Sequence, residues 1–168
     1  MENCSIRPVS AVADSVAITE IYNHYIRHTV VTFEEVAVTV EQMLERINFV
    51  TSASLPWLVA EVSGQVVGYA YAGKFHSRSA YRFTAEATVY LEKNASGKGV
   101  GTKLYEALLH QLKQQNFHSI IGIIALPNEA SVKLHEKFNF KKIGHFSEVG
   151  YKFNQWLDVG YWQVVLNA

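Results

Sequence analysis

The chain has 168 residues, of which 49% are hydrophobic, so it can form one sizeable core but not two domains. Fifteen Lys and Arg balance fifteen Asp and Glu without any dense basic run, which argues against nucleic acid as a partner. Cys4 is the only cysteine, which excludes an internal disulfide and a paired-cysteine zinc site. The N-terminus lacks a secretory pattern, and the longest apolar run, 120–126, is far below the roughly 20 residues that span a bilayer. We therefore expect a cytoplasmic protein with no membrane partner.

The first half of the chain predicts a strand, two helices and then three antiparallel strands. Thr39 and Gln42 form a capping-box pattern, which predicts the start of the second helix. Two β-rich runs separated by Ser63-Gly64-Gln65 are expected to pair as a hairpin. In chain order the predicted elements are a strand at 5–7, a helix at 13–25, a helix after Thr39, and strands at 57–62, 66–72 and 83–91.

The second half alternates helices with strands. Leu104, Leu108 and Leu112 recur at helical spacing, which predicts a long amphipathic helix after a glycine-rich segment. The further elements predicted here are a strand at 119–125, a helix at 128–138, and strands at 142–146 and 159–166. Antiparallel strands followed by a strand-helix-strand-helix unit indicate an α/β fold with one mixed central sheet and helices on its faces.

The glycine-rich segment Ser96-Gly97-Lys98-Gly99-Val100-Gly101-Thr102 lies between a predicted strand and the long helix. Successive backbone N–H groups and the helix dipole can bind a diphosphate at such a junction, and glycine lets the phosphate approach the backbone. The segment matches neither the Walker sequence nor the full dinucleotide fingerprint. Taken alone, it is equally compatible with an ordinary strand-to-helix turn.

Residues further along the chain complete a family pattern. The stretch from Asn128 through Ala130-Ser131 to 134–140 resembles the helix and turn that follow the cofactor loop in the Gcn5-related N-acetyltransferases (GNAT). A closer similarity, to the phosphinothricin and methionine sulfone or sulfoximine N-acetyltransferases, is carried by these further stretches: 23–26, 56–61, 71–73, 84–90, 126–128 and 158–163. Two departures are Ser96, where Gln or Arg is common, and Asn139, where Gly is common.

The resemblance implies one α/β domain over residues 1–168, with a mixed, mostly antiparallel sheet of about seven strands flanked by about four helices. It also implies acetyl-CoA as co-substrate, a small-molecule amine as acceptor, and a homodimer. The pantetheine is expected to bind like an added strand along Val89, Tyr90 and Leu91, with the Val89 N–H stabilising the developing oxyanion. Further cofactor contacts are implied for Asn128 and for Gly97, Lys98, Gly99, Val100, Gly101 and Thr102.

Acyl transfer to an amine needs a proton acceptor, and the resemblance points to Glu86. Strand alternation places Ala85 and Ala87 on one face, and Glu86 and Thr88 on the other. The alternative is an exposed strand carboxylate with no chemical role. His135 is implied as a proton donor or second base, and its alternative is a histidine on a solvated helix surface.

For the acceptor, the resemblance implies Arg78 as an anion clamp with Phe33 and Tyr81 as pocket walls, together with Glu86 and Thr88. An ordinary loop arginine is the alternative for Arg78. No metal is predicted, because the helix pair His24 and His28 lacks further ligands. Two other functions stay open: an acetyltransferase for protein N-termini, aminoglycosides or polyamines, and a non-catalytic acetyl-CoA sensor.

Overall fold

Seven strands and four α-helices make up the part of the chain that the computed structural model describes, residues 4–166. The helices are α1 (Ala11–His28), α2 (Val40–Ser52), α3 (Val100–Gln114) and α4 (Glu129–Lys137). The strands are β1 (Cys4–Pro8), β2 (Trp57–Val62), β3 (Gln65–Lys74), β4 (Thr84–Leu91), β5 (Ser119–Leu126), β6 (Lys141–Lys152) and β7 (Gln155–Val165). No helix within these residues is both long enough and apolar enough to cross a bilayer.

The strands form one mixed sheet in the order β1-β2-β3-β4-β5-β7-β6. All neighbours are antiparallel except β4 and β5, which are parallel and are connected through α3. Two adjacent parallel strands need a crossover connection, and α3 supplies it. The predicted α/β class, the seven strands and the four helices are therefore confirmed.

The parallel pairing of β4 with β5 is short. Only Thr84–Glu86 of β4 pair with Ser119–Ile121 of β5. Beyond Glu86, β4 continues to pair with β3 as far as Leu91, whereas β5 continues to pair with β7 as far as Leu126. The sheet therefore opens between the C-terminal ends of β4 and β5. Along this opening the backbone groups of β4 that face β5 do not pair with it.

Each face of the sheet is covered by a separate apolar core. On one face the stripe Leu104, Leu108 and Leu112 of α3 is fully buried against small residues such as Ala85 and Ala87 of β4. On the other face α1 and α2 pack on β2 and β3 through a second cluster. Replacing one such fully buried leucine by alanine would cost about 2–5 kcal/mol of folding free energy.

The start of α2 follows the local rule predicted from its sequence. The Gln42 N–H donates to the Thr39 side chain at 3.2 Å, and the Thr39 N–H donates to the Gln42 side chain at 2.9 Å. Both bonds of the capping box are thus present and satisfy two backbone donors at the helix start.

The C-terminal hairpin is longer than its sequence pattern predicts. β6 and β7 pair down to Lys152 and Gln155, leaving Phe153 and Asn154 as a two-residue turn with φ of 50° and 61°. The predicted strands 142–146 and 159–166 therefore miss the half of the hairpin nearest the turn. The reason is that glycine usually occupies turn positions with positive φ, and neither residue here is glycine.

The connection between α1 and α2 is held by buried polar side chains. Asn23 donates through Nδ2 to the Val38 carbonyl at 2.8 Å and accepts from the Val38 N–H at 2.9 Å. The Lys152 ammonium, which is 1% exposed, donates to the Thr32 carbonyl at 2.7 Å, and burial lowers its pKa. These contacts fix the position of Phe33 relative to the sheet.

Replacing Asn23 by alanine should remove both bonds and leave the buried Val38 backbone groups without a partner. We expect a loss of about 2–3 kcal/mol in the free energy of unfolding, measured by urea denaturation. The matched control Asn48→Ala, at an exposed position of α2, should change it by less than about 0.5 kcal/mol. Equal losses in the two variants would contradict this account of the loop.

Candidate functional site

The glycine-rich segment forms a bare helix N-terminus. Gly97 and Gly99 have φ of 76° and 80°, a left-handed conformation that favours glycine, and Gly99 directly precedes α3. No side chain caps α3, and its first turn carries no acidic residue. The N–H groups of Val100, Gly101 and Thr102 therefore have no partner within the helix and are suited to binding a diphosphate.

Basic side chains surround this helix start. Lys98 and Lys103 are exposed close to it in the chain, and the Lys137 ammonium at the end of α4 donates to the Thr102 hydroxyl at 3.4 Å. The chain turns away after α4 through Asn139, which has φ of 64°. Asparagine therefore adopts the left-handed conformation expected of it where relatives commonly have glycine.

The open edge of β4 carries the three residues implied for pantetheine binding. Val89, Tyr90 and Leu91 lie beyond the last pair with β5, so an extended ligand could add to this edge. Leu91 already has a protein partner, because the Tyr25 hydroxyl donates to its carbonyl at 2.7 Å and accepts from its N–H at 3.4 Å. A ligand that bonds to the Leu91 backbone would therefore have to displace the Tyr25 hydroxyl. Tyr25 makes no such bond to the Val89 backbone.

Glu86 lies at the point where β4 and β5 separate. It is half-buried, and burial raises the pKa of its carboxyl group, with a smaller opposing effect from His76. Its strand neighbours Ala85 and Ala87 are buried on the α3 face, so Glu86 and Thr88 face the side covered by α1 and α2. The predicted alternation of β4 is confirmed. Glu86 is not an exposed strand carboxylate, because its side chain is half-buried.

His135 lies on the other face of the sheet. Its side chain packs against Gly122 of β5, and it is 3% exposed, so the alternative of a solvated helix histidine is wrong. Nδ1 bonds to the Ser131 carbonyl and Nε2 to the Tyr105 hydroxyl, each at 2.7 Å. Because a carbonyl only accepts, Nδ1 carries the proton and Nε2 accepts from Tyr105. Burial lowers the pKa of His135, so the neutral ring is favoured.

Asn128 is placed at the end of the opening between β4 and β5. It caps α4, since its side-chain oxygen accepts from the Ser131 N–H at 3.1 Å. The cap uses only the oxygen, which leaves the side-chain NH₂ group as a donor for a ligand. His135 and Asn128 are thus joined through Ser131 but occupy different environments, one buried and one half-buried.

The residues implied for the acceptor are more scattered. Arg78 and Tyr81 are exposed on the turn before β4, where Tyr81 and His76 rings make an edge contact at 5.0 Å. Because His76 lowers the pKa of Glu86, this turn lies near the carboxylate. Phe33 lies on the α1–α2 connection and packs on Gly150 of β6. Arg78 and Tyr81 therefore share with His76 the turn that precedes β4, while Phe33 lies on another element.

Two aromatic residues of the site were not identified from the sequence. The Tyr25 hydroxyl of α1 donates a hydrogen bond to the Leu91 carbonyl at the end of β4, and the Tyr105 hydroxyl of α3 forms a hydrogen bond with His135. Burial strongly raises the pKa of Tyr105, so its hydroxyl stays protonated. Tyr25 lies within one of the family-like stretches, which is a usable signal, whereas Tyr105 is indistinguishable from the apolar stripe of α3. Within residues 4–166 no group of three or more His, Cys, Asp or Glu side chains is arranged to hold a metal ion.

Comparison with known proteins decides the family. The model of the acetyltransferase (GNAT) domain matches residues 10–160. The chain belongs to the GNAT acetyltransferase family. Among its GNAT relatives, a phosphinothricin N-acetyltransferase from Streptomyces viridochromogenes is 41% identical over 158 residues, covering 94% of this chain and 85% of the relative. An L-methionine sulfoximine/L-methionine sulfone acetyltransferase from Salmonella typhimurium is 35% identical, covering 92% and 91%.

Solved GNAT structures agree with this fold over nearly its whole length. A phosphinothricin acetyltransferase from Sinorhizobium meliloti in complex with AcCoA has a TM-score of 0.95 and 34% identity, covering 98% of this chain and 89% of that one. An acetyltransferase from Salmonella typhimurium with acetyl-CoA has a TM-score of 0.94 and 34% identity, covering 98% and 94%. This GNAT chain therefore shares both fold and sequence with structures that contain acetyl-CoA.

The buried, neutral state of His135 predicts a pH effect on stability. Folding lowers the pKa of His135. The contribution of the neutral ring to folding stability is therefore complete above pH 6.5, the ordinary pKa of histidine, and is lost as the pH falls below that value. The wild-type free energy of unfolding should decrease there with an extra slope of at most about 1.4 kcal/mol per pH unit relative to His135→Gln. His110→Gln, at an exposed position of α3, should keep the wild-type slope. Parallel curves for wild type and His135→Gln, measured by urea unfolding between pH 5 and 8, would refute the prediction.

Proposed function

We propose that the protein transfers the acetyl group of acetyl-CoA directly to the amino group of a small amino-acid-like acceptor, such as phosphinothricin, methionine sulfone or methionine sulfoximine. The observation that carries the proposal is Glu86, a half-buried carboxylate of raised pKa at the point where β4 and β5 separate. Family membership supports the reaction type, and the names of the relatives support the acceptor class.

The residues present fit an acetyl-CoA molecule. The uncapped start of α3 offers N–H donors to the diphosphate, and the unpaired edge of β4 at Val89 and Tyr90 offers backbone groups to the pantetheine. Asn128 retains its NH₂ group at the far side of the opening. When bound, acetyl-CoA would supply the activated acetyl group as a thioester, and the backbone groups near Val89 would hold the pantetheine arm along the strand that carries Glu86.

Glu86 acts as the general base in this proposal. An alkyl ammonium must lose a proton before it can attack, and a carboxylate whose pKa is raised by burial accepts that proton more readily. Arg78 on the adjacent turn is assigned to the anionic group of the acceptor, with Tyr81, Phe33 and Thr88 around it. Direct transfer needs no acyl-enzyme, and the single thiol, Cys4, lies on β1, an edge strand three positions away from β4 in the sheet.

His135 is proposed as the proton donor to the departing thiolate or as a second base. Its Nε2 accepts from the Tyr105 hydroxyl, and its Nδ1–H is held by Ser131. As a base the ring takes the Tyr105 proton at Nε2 while the Tyr105 oxygen accepts a proton from the site, and as a donor the charged ring returns that proton by the same route. The family resemblance supports this assignment, and the pair lies behind Gly122 of β5, on the far side of the sheet from Glu86.

A thiol-release assay tests the activity and its base together. With acetyl-CoA and methionine sulfone or phosphinothricin, the wild type should release CoA, and kcat/KM should rise with pH through a pKa above the ordinary value of 4.5. Glu86→Gln should lower kcat about 10²- to 10⁴-fold and lose that acidic limb.

Calorimetric binding of acetyl-CoA is the control for this assay, because Glu86→Gln should bind it as the wild type does. Binding without CoA release from any amine would indicate a sensor and would overturn the proposal. Efficient release with polyamines or peptides but not with amino acids would reject the acceptor class. Full activity of Glu86→Gln at all pH values would remove Glu86 from its role.

We also propose that two copies of the chain form a homodimer through the outer part of the β6–β7 hairpin. β6 is an edge strand of 12 residues, and Tyr151 and Trp156 on the hairpin are exposed and in ring contact at 4.9 Å. Exposed aromatic side chains on a long edge strand favour association with another chain, and family resemblance supports an identical one.

Light scattering coupled to size exclusion tests the dimer. The wild type should elute with twice the chain mass of 18.9 kDa, because the hairpin aromatics are covered by the partner. Trp156→Ser should weaken dimerisation at least about tenfold, as loss of a buried aromatic anchor does. Phe49→Ser, another exposed aromatic position but on α2, should leave the mass unchanged. A wild-type monomer at micromolar concentration, or a dimer sensitive only to Phe49→Ser, would contradict the proposal.

A further inference from the structure

The opening between β4 and β5 separates two groups of elements. Strands β1, β2, β3 and β4 lie on one side of it together with α1 and α2, and strands β5, β7 and β6 lie on the other. Beyond the pairs that end at Glu86, β4 and β5 no longer bond to each other. Any contact between the α1–α2 connection and β6 therefore joins the two sides across the opening.

Two residues of β6 make such contacts. The Lys152 ammonium donates to the Thr32 carbonyl at 2.7 Å, and Gly150 lies against the ring of Phe33. Thr32 is also held from the side of α1, because its hydroxyl lies 3.0 Å from the hydroxyl of Tyr22. The contacts therefore link α1 to β6 through the loop, and we call the four residues that make them the bridge: Thr32, Phe33, Gly150 and Lys152.

The bridge lies on the face of the sheet that carries Glu86. Trp162 of β7 belongs to the core on the α3 face, so Leu157, five residues earlier in the same strand, points to the opposite face. Gly150 is the cross-strand partner of Leu157, and Lys152 follows two residues later on the same face. Glu86 also faces away from α3. The bridge and the proposed base are therefore on the same side of the sheet.

The two β6 residues are matched to the loop that they contact. Lys152 is 1% exposed, and within residues 4–166 the Thr32 carbonyl is its one hydrogen-bond acceptor. Burying an ammonium group is costly, so this single bond has to hold the loop closely. A Cβ atom built on Gly150 would lie closer than 3.0 Å to three ring atoms of Phe33, and the φ of Gly150 is not positive. The Phe33 ring, rather than the backbone conformation, therefore requires glycine at this position.

We propose that Lys152 and Gly150 are positioning residues for the acceptor: from across the opening they hold Phe33 in place on the face that carries Glu86. The assignment rests on the proposed function, in which Phe33 is a wall of the acceptor pocket. Neither β6 residue touches the acceptor, since both act through the loop. A contact side chain that is fixed before the ligand arrives lowers the entropic cost of binding. Loss of the bridge therefore weakens acceptor binding and leaves the chemical step unchanged.

Steady-state kinetics with methionine sulfone at saturating acetyl-CoA test the assignment. Lys152→Met removes the hydrogen bond to Thr32 and keeps an unbranched side chain, whereas Gly150→Ala displaces the Phe33 ring without altering Lys152. Each variant should raise KM for methionine sulfone about tenfold, the cost of ordering one aromatic side chain, and should change kcat less than about twofold. Two variants at different positions guard against a folding defect in either of them.

Matched controls are available on the same strand. Lys141→Met replaces an exposed lysine, and Gly144→Ala adds a Cβ atom that makes only an ordinary contact with Tyr161 at 3.7 Å. Both should keep the wild-type KM. Calorimetry should give every variant the wild-type affinity and stoichiometry for acetyl-CoA, which also measures the folded fraction. Light scattering should give every variant the wild-type mass, which separates the bridge from association through the hairpin.

A double-mutant cycle separates positioning from direct binding of the acceptor. In a Phe33→Ala background the positioned ring is absent, so adding Lys152→Met should change KM less than about twofold. An equal increase of KM in both backgrounds would mean that Lys152 binds the acceptor itself, and would overturn the assignment. An unchanged KM in both Lys152→Met and Gly150→Ala, or a matching loss of acetyl-CoA affinity, would overturn it too. Binding of acetyl-CoA by the wild type without turnover of any amino acid would overturn the proposed function, and this assignment with it.

Discussion

The short parallel pairing between β4 and β5 is the constraint on which the site depends. Three pairs, from Thr84 to Glu86, hold the two strands together, and beyond them each strand keeps only its outer neighbour. A backbone edge without a partner is unfavourable unless water or a ligand bonds to it. The open edge of β4 and the uncapped start of α3, which follows β4 in the chain, are the two parts of the cofactor site that we propose.

The two faces of the sheet carry different kinds of side chain, because successive residues of a strand point to opposite faces. On the α3 face, alanines in β4 let the leucine stripe pack closely, and Tyr105 with His135 forms a buried polar pair within that core. On the α1–α2 face, Glu86 pairs across the strands with Gly73, where an added Cβ atom would meet no heavy atom within 4 Å. The burial that raises the pKa of Glu86 and the burial that lowers the pKa of His135 are thus the same physical effect acting on groups of opposite charge.

Helix α1 makes hydrogen bonds both to the end of β4 and to the connection between α1 and α2. Tyr25 bonds to the backbone of Leu91 at the end of β4, and Asn23 fixes the connection that carries Thr32 and Phe33. Lys152 reaches the same connection from β6, on the other side of the opening. Helix α1 and strand β6 therefore hold the same loop, so the position of Phe33, which we propose as an acceptor contact, depends on elements far apart in the chain.

Local patterns in the sequence were sufficient for the element order, the capping box at Thr39 and the alternation that turns Glu86 away from Ala85. These features depend on neighbours along the chain, so spacing and conformational preference predict them. The turn at Phe153–Asn154, the Tyr105–His135 pair, the hold of Tyr25 on Leu91 and the open space over Gly73 were decided only by tertiary structure. Each depends on residues far apart in the chain or on a conformation its residue type seldom adopts, and burial, which sets the pKa of Glu86 and of His135, exists only once the sheet is assembled.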